Sequence, residues 1–176
     1  MRIIIFNGSP HVNGNISSMI DAFVHGAKEN GHQIDIISVC QMQIHGCLAC
    51  EYCHQKETDH ERTCIQQDDM QQVYPLLDNA DMIILASPIY HHHFSGQLQC
   101  AINRFYALDK PRHLKKAALF LSSGSDHVYS GAIYEYQNSF LQYLKLKDMG
   151  IYSAFGKHNQ TSEKLDEFYL FGKNLK

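Results

Sequence analysis

The chain has 176 residues, 44% of them hydrophobic and 19% charged, and its fifteen Lys and Arg against eighteen Asp and Glu leave a formal charge of −3. That length suits one domain with a core of its own, and the acidic balance argues against a protein that tracks nucleic-acid phosphates or an anionic membrane surface. Apolar runs are strand-sized, and Met1-Arg2 leads straight into one of them, so neither a signal peptide nor a membrane span is expected and the cytoplasm is the expected compartment.

Residues 3–6, IIIF, are continuously apolar, as in a strand covered on both faces, and stop at Asn7-Gly8-Ser9-Pro10. Between 15 and 30 the positions Ile16, Met19, Ile20, Phe23, Val24 and Ala27 recur at helical spacing, and Gly31 supplies a left-handed stop. Residues 33–39 read as a second strand. The polar stretch 40–67 has no periodicity and is expected to be an excursion. Residues 68–79 resume as a helix, with Asp68 or Asp69 at its positive end. A third strand at 82–86 is stopped by Ser87-Pro88, and a helix follows at 96–108. A fourth strand at 117–121 ends in Ser122-Ser123-Gly124-Ser125. A long helix at 131–149, a fifth strand at 151–155 and a final helix at 162–175 complete the order.

This alternation, without a linker or internal repeat, predicts a single α/β domain over 1–176: a five-stranded parallel sheet with helices on both faces. Ligands of such sheets sit outside the carboxyl ends of the strands, at the switch point of the strand order. The loops of interest are therefore 7–15, 87–95 and 122–130.

In GSPHVNGN, residues 8–15, Ser9, Asn13, Asn15 and nearby Ser17 offer short polar groups. The free backbone N–H groups of Asn15, Ile16 and Ser17, at the positive end of the first helix, suit a phosphate. The loop holds no Lys or Arg, only His11, and matches neither G-x-x-x-x-G-K-[ST] nor G-x-G-x-x-G. A plain turn and helix cap fits it equally well. In SPIYHHHFSG, residues 87–96, Pro88 fixes the chain, Tyr90 offers a flat face to a planar ligand or simply covers the sheet, and Ser95 suits a helix cap. Three adjacent histidines point in different directions and seldom close on one ion.

Four of the six cysteines share one short segment: Cys47-x2-Cys50-x2-Cys53, then Cys64 after a polar insert, HQKETDHERT, expected to be flexible. Four thiolates for an iron-sulfur cluster, a zinc site drawing on Cys47, Cys50 or Cys53, Cys64 and His60, and reduced thiols without a metal all fit the spacing. Cys40 and Cys100 read as small apolar fillers.

Three stretches carry a resemblance. GSPHVNGNISSM is similar to the phosphate loop, GSPRxxGNT, of the flavodoxin-like NAD(P)H-dependent FMN reductase family. ADMIILASPIYHHHFSGQLQCAINRFY resembles that family's SPxY loop and the following S-[AG]-x-L-K-x-F-x-D-R helix. GCLACEYCHQ…CIQQDDM is similar to the cysteine segment of its iron-sulfur flavoprotein subgroup. His11 stands where Arg is usual, Ile16 where Thr, Gln99 where Lys and Asn103 where Asp.

The resemblance implies a flavodoxin-like three-layer fold and a bound FMN. Ser9, His11, Asn15, Ile16 and Ser17 would meet the phosphate; Pro88, Ile89, Tyr90, His91 and His92 would border the ring; Ser123 and Gly124 would line its neighbouring edge. It implies hydride transfer from NAD(P)H through FMN to a small acceptor (a quinone, a flavin, or a nitro or azo compound), and a homodimer. One domain leaves no room for a separate nicotinamide domain, so donor and acceptor would share one flavin face. The iron-sulfur subgroup implies an alternative: a [4Fe–4S] cluster on Cys47, Cys50, Cys53 and Cys64, relaying single electrons from a ferredoxin-like donor to FMN. A cofactor-free binding module of the same fold is the third reading.

Overall fold

Five parallel strands, β1 (Arg2–Asn7), β2 (Gln33–Ser38), β3 (Met82–Pro88), β4 (Lys116–Ser123) and β5 (Lys147–Phe155), lie side by side in the order β2-β1-β3-β4-β5. The structure is a computed structural model describing all 176 residues. Helices α1 (Asn15–Glu29), α2 (Met70–Asp78), α3 (Gly96–Arg104), α4 (Ser130–Glu135) and α5 (Ser162–Asn174) cover the sheet.

Alternation along each strand explains the layering. Ile3, Ile5, Met82, Ile84, Ala118 and Phe120 point to one face and pack with Ile16, Met19, Phe23 and Phe168 of α1 and α5. Ile4, Phe6, Ile83, Leu85, Leu119 and Leu121 point to the other and pack with Val73, Leu98 and Ala132 of α2, α3 and α4. The fold is the flavodoxin-like α/β/α sandwich.

Most elements fall where periodicity puts them. Gly31 sits at φ +74°, and the Ser95 hydroxyl caps α3 by accepting from the Leu98 N–H. Three departures change the type of an element at its end. Val39 leaves β2 for a short 3-10 turn, Val39–Gln41, and α3 tightens into a 3-10 turn at Phe105–Leu108. The expected long helix at 131–149 is α4 followed by a π-helical stretch, Tyr136–Tyr143; Lys145 then turns the chain at φ +57°. The chain next joins the sheet as β5, where Lys147 pairs with Lys116. Leu144 and Leu146, both buried, sit at strand spacing, and the apolar run before them hides the change of period.

The excursion is tied down. Arg62 donates its backbone N–H to the Cys53 carbonyl (2.8 Å), one guanidinium nitrogen to Asp78 (2.6 Å) and the other to the Leu108 carbonyl. His60 bonds the Tyr52 hydroxyl at 2.7 Å and stacks on its ring, and His54 does the same against Tyr106 and its carbonyl. The insert expected to be flexible is thus anchored to the α2 and α3 ends. No helix is long and apolar enough to cross a membrane.

Candidate functional site

The chain leaves β1 for β2 on one side and returns as β3 on the other, so the switch point lies between the β1 and β3 loops. The two loops are pressed together. Gly8 donates its N–H to the Ala86 carbonyl at 2.8 Å, and a Cβ on Gly8 would stand 2.8 Å from Ser95 Oγ and 2.9 Å from Leu98 Cβ. Only glycine permits that approach.

On the β1 side, most side-chain oxygens already have partners. Ser9 Oγ accepts from the His11 N–H (3.2 Å), Ser17 Oγ donates to the His11 carbonyl (3.2 Å), and Asn15 Oδ1 accepts from Gln160 (3.0 Å). The Ile16 side chain is buried in the core, while His11 is exposed. The backbone donors remain. The first bond of α1 runs from Ser18 N–H to the Gly14 carbonyl (3.1 Å), leaving the N–H groups of Asn15, Ile16 and Ser17 without an acceptor at the positive end of the helix.

On the β3 side, Tyr90 and His93 exchange two backbone hydrogen bonds, 3.1 and 3.0 Å, around His91 and His92 at φ +50° and +71°. This is a two-residue turn with both central residues left-handed, a conformation that favours glycine and costs non-glycine residues about 1–2 kcal/mol each. Such strain persists where surrounding contacts enforce it. The turn leaves Tyr90 48% exposed. Pro88 and Ile89 are half-buried, and the Ile89 N–H donates to the Ser122 carbonyl at 2.9 Å. On the β4 side the Ser123 hydroxyl is occupied by the Ser125 carbonyl and the Tyr129 hydroxyl, and Gly124 is exposed.

The cysteine segment forms a second site. Cys47, Cys50, Cys53 and Cys64 line one small cavity together with Leu48, Ile65, Tyr106 and Arg104. All are free thiols; Cys47 and Cys50 are exposed, Cys53 and Cys64 buried. Burial pushes the Cys53 thiol up, and the three neighbouring sulfurs add to the effect. The four sulfurs are not gathered as closely as a single metal ion requires, and His60 is engaged with Tyr52. A [4Fe–4S] cubane takes one thiolate on each of four irons, so four sulfurs around one mostly apolar cavity fit its donor set. Cys40 and Cys100 stand apart from it, Cys40 donating to the Gly8 carbonyl at 3.3 Å.

Residues 1–160 match the family of NADPH-dependent FMN reductases. The chain belongs to this family. Among curated proteins, this reductase-family chain is 28% identical over 161 residues to an iron-sulfur flavoprotein of Archaeoglobus fulgidus, covering 89% of the chain and 69% of the relative. It is 30% identical over 129 residues to an iron-sulfur flavoprotein of Methanocaldococcus jannaschii, covering 72% of the chain and 63% of the relative. Among solved structures, an NAD(P)H:quinone oxidoreductase from Methanothermobacter marburgensis superposes with a TM-score of 0.78 at 16% identity, covering 100% of this chain and 96% of that one.

Sequence reasoning missed one charged residue that lines the cysteine cavity. Arg104, only 1% exposed, is ion-paired to Asp68 and reaches Tyr74, His45 and Cys64. Its signal was present: Leu98, Ala101, Arg104, Phe105 and Leu108 share the buried spacing of one helical face, and an arginine at such a position needs an acidic partner.

Proposed function

We propose that this reductase-family chain is an FMN-dependent oxidoreductase that is reduced by NAD(P)H and passes electrons to a small acceptor, such as a quinone, a flavin, or a nitro or azo compound. The observation carrying the proposal is the juxtaposition at the switch point: unpartnered N–H groups opening α1 face one side of the crevice, and an exposed tyrosine on a strained turn faces the other. When bound, FMN supplies hydride acceptance and release. The chain supplies the rest. Asn15, Ile16 and Ser17 donate backbone N–H groups to the phosphate, and the α1 dipole favours its charge. With no Lys or Arg in the loop, these donors carry most of the phosphate affinity. Tyr90, Pro88, Ile89, His91 and His92 border the ring, and Ser123 and Gly124 offer backbone groups to its edge. Donor and acceptor dock in turn on the exposed face. Free thiols suit a reducing compartment such as the cytoplasm, and a homodimer is proposed on family resemblance alone.

A second reading is favoured by a separate observation, the four cysteines on one cavity. Here Cys47, Cys50, Cys53 and Cys64 hold a [4Fe–4S] cluster, and single electrons arrive from a ferredoxin-like donor. The relatives named iron-sulfur flavoproteins support it. One measurement separates the readings: the absorption spectrum and iron content of anaerobically purified protein. Flavin bands with no iron favour the simple reductase; added broad absorption with about four irons favours the cluster. Colourless protein that fails to take up FMN would sink both.

A further inference from the structure

We infer that Arg104 is the positioning residue of the cysteine site, fixing Cys64 as a ligand and tuning the electron affinity of the cluster that the second reading places there. Cys47, Cys50 and Cys53 lie within one short stretch of chain, 47–53, but Cys64 arrives after an intervening insert and has no local reason to face them. It is brought there by side chains from two helices. Gln71 of α2 donates to the Cys64 carbonyl at 2.9 Å and holds the strand of chain from behind. Arg104, at the end of α3, donates Nη2 to Cys64 Sγ at 3.4 Å.

The guanidinium is placed for this purpose by a complete set of partners. Nε donates to the Tyr74 hydroxyl at 3.2 Å, and Nη1 to the His45 carbonyl at 3.0 Å. Asp68 receives the fork, Oδ2 from Nη1 at 2.5 Å and Oδ1 from Nη2 at 3.1 Å. A buried charge is tolerated only when paired and bonded in this way. Asp68 also accepts from the His45 and Met70 N–H groups, so it cannot swing away without releasing both. The remaining reach of the guanidinium goes to sulfur. A fixed cationic donor on a ligand sulfur stabilises the more negative, reduced state of a cluster and raises its potential.

The test uses full-length protein, loaded anaerobically with ferrous iron and sulfide, with iron content and midpoint potential as readouts and FMN affinity as the control. The double variant Arg104→Gln, Asp68→Asn removes both buried charges together, so neither is left unpaired. We expect it to bind FMN as wild type does, with a lower midpoint potential, lower iron retention or both. Wild-type iron content with an unchanged midpoint overturns the inference while leaving the cluster reading intact. Wild-type protein that takes up no iron overturns both. If the double variant does not fold, Arg104→Lys decides: it keeps the ion pair but cannot fork to Asp68, Tyr74 and Cys64 at once. Its midpoint must then fall, and a wild-type midpoint with wild-type iron overturns the inference.

Discussion

A Cβ on Gly131 would stand 2.6 Å from the Cε1 atom of His93 and 2.7 Å from the His92 carbonyl oxygen. Because one of the colliding atoms is backbone, rotating a side chain does not relieve the contact. The Ala132 N–H also donates to that same carbonyl at 3.0 Å, so the start of α4 braces the left-handed turn from below. Gly131→Ala must therefore displace the turn, at about 1–3 kcal/mol for overpacking. If the turn borders FMN, affinity should fall by about tenfold or more while the fold survives. Titration of FMN fluorescence measures it, and an unchanged dissociation constant would separate the turn from the flavin site.

Tyr90 gives a more direct reading of the same contact. Its ring is exposed and its hydroxyl has no partner within the protein. Ring stacking contributes about 0.5–1.5 kcal/mol beyond buried area, so Tyr90→Ala should weaken FMN binding by about 2- to 10-fold. Tyr90→Phe, which keeps the ring, should bind as wild type does. Equal losses in both variants would assign the effect to the hydroxyl and not to stacking.

The β/α alternation and the place of the β1 and β3 loops at the switch point were legible because strand and helix periods, glycine stops and the switch-point rule are local or topological. The phosphate loop was legible in part. The free N–H groups of Asn15, Ile16 and Ser17 follow from their place at the start of α1, whereas composition does not show that the Ser9, Asn15 and Ser17 side-chain oxygens are spent on His11 and Gln160. The end of the fourth helix was misread because Leu144 and Leu146 continue an apolar run whose period changes from helical to extended at Lys145. The order of the insert was invisible for another reason. Arg62 and Arg104 find their partners 16 and 36 residues away in the sequence, and pairings at such separation leave no local pattern.

Asp68 predicts an acid limb of stability. Burial raises its carboxyl, but the Arg104 guanidinium and the His45 and Met70 N–H groups outweigh that and hold it below the usual range. A carboxyl lowered in the fold contributes stability that is present above its ordinary value, about 3.9, and is lost as pH falls through the lowered one. Asp68→Asn should cost about 3–5 kcal/mol near neutral pH, because it leaves Arg104 buried without its counter-charge. The gap from wild type should narrow as pH falls well below 4, where Asp68 itself becomes neutral. Denaturant melts at neutral and strongly acidic pH test this; a gap that stays constant would mean the pair contributes nothing through its charge.

Glu135 should behave in the opposite sense. Burial raises its carboxyl, and the hydrogen bond from Gln99 Nε2 (2.5 Å) and the nearby His93 only partly offset it. A carboxyl raised in the fold favours the native state below its ordinary value, about 4.3, and that advantage disappears as pH rises through the raised one. Glu135→Gln keeps an oxygen to accept from Gln99 and carries no charge to desolvate. The variant should therefore melt above wild type at pH 8, by roughly 0.5 kcal/mol, and level with it near pH 4. Glu135 sits where α4 passes into its π-helical stretch, one turn beyond the Gly131 contact with the His92–His93 turn. Neutralising it should thus firm the support beneath that turn. FMN affinity at pH 8 should be retained or improved in the variant, and a loss of affinity there would mean that the carboxylate itself faces the flavin.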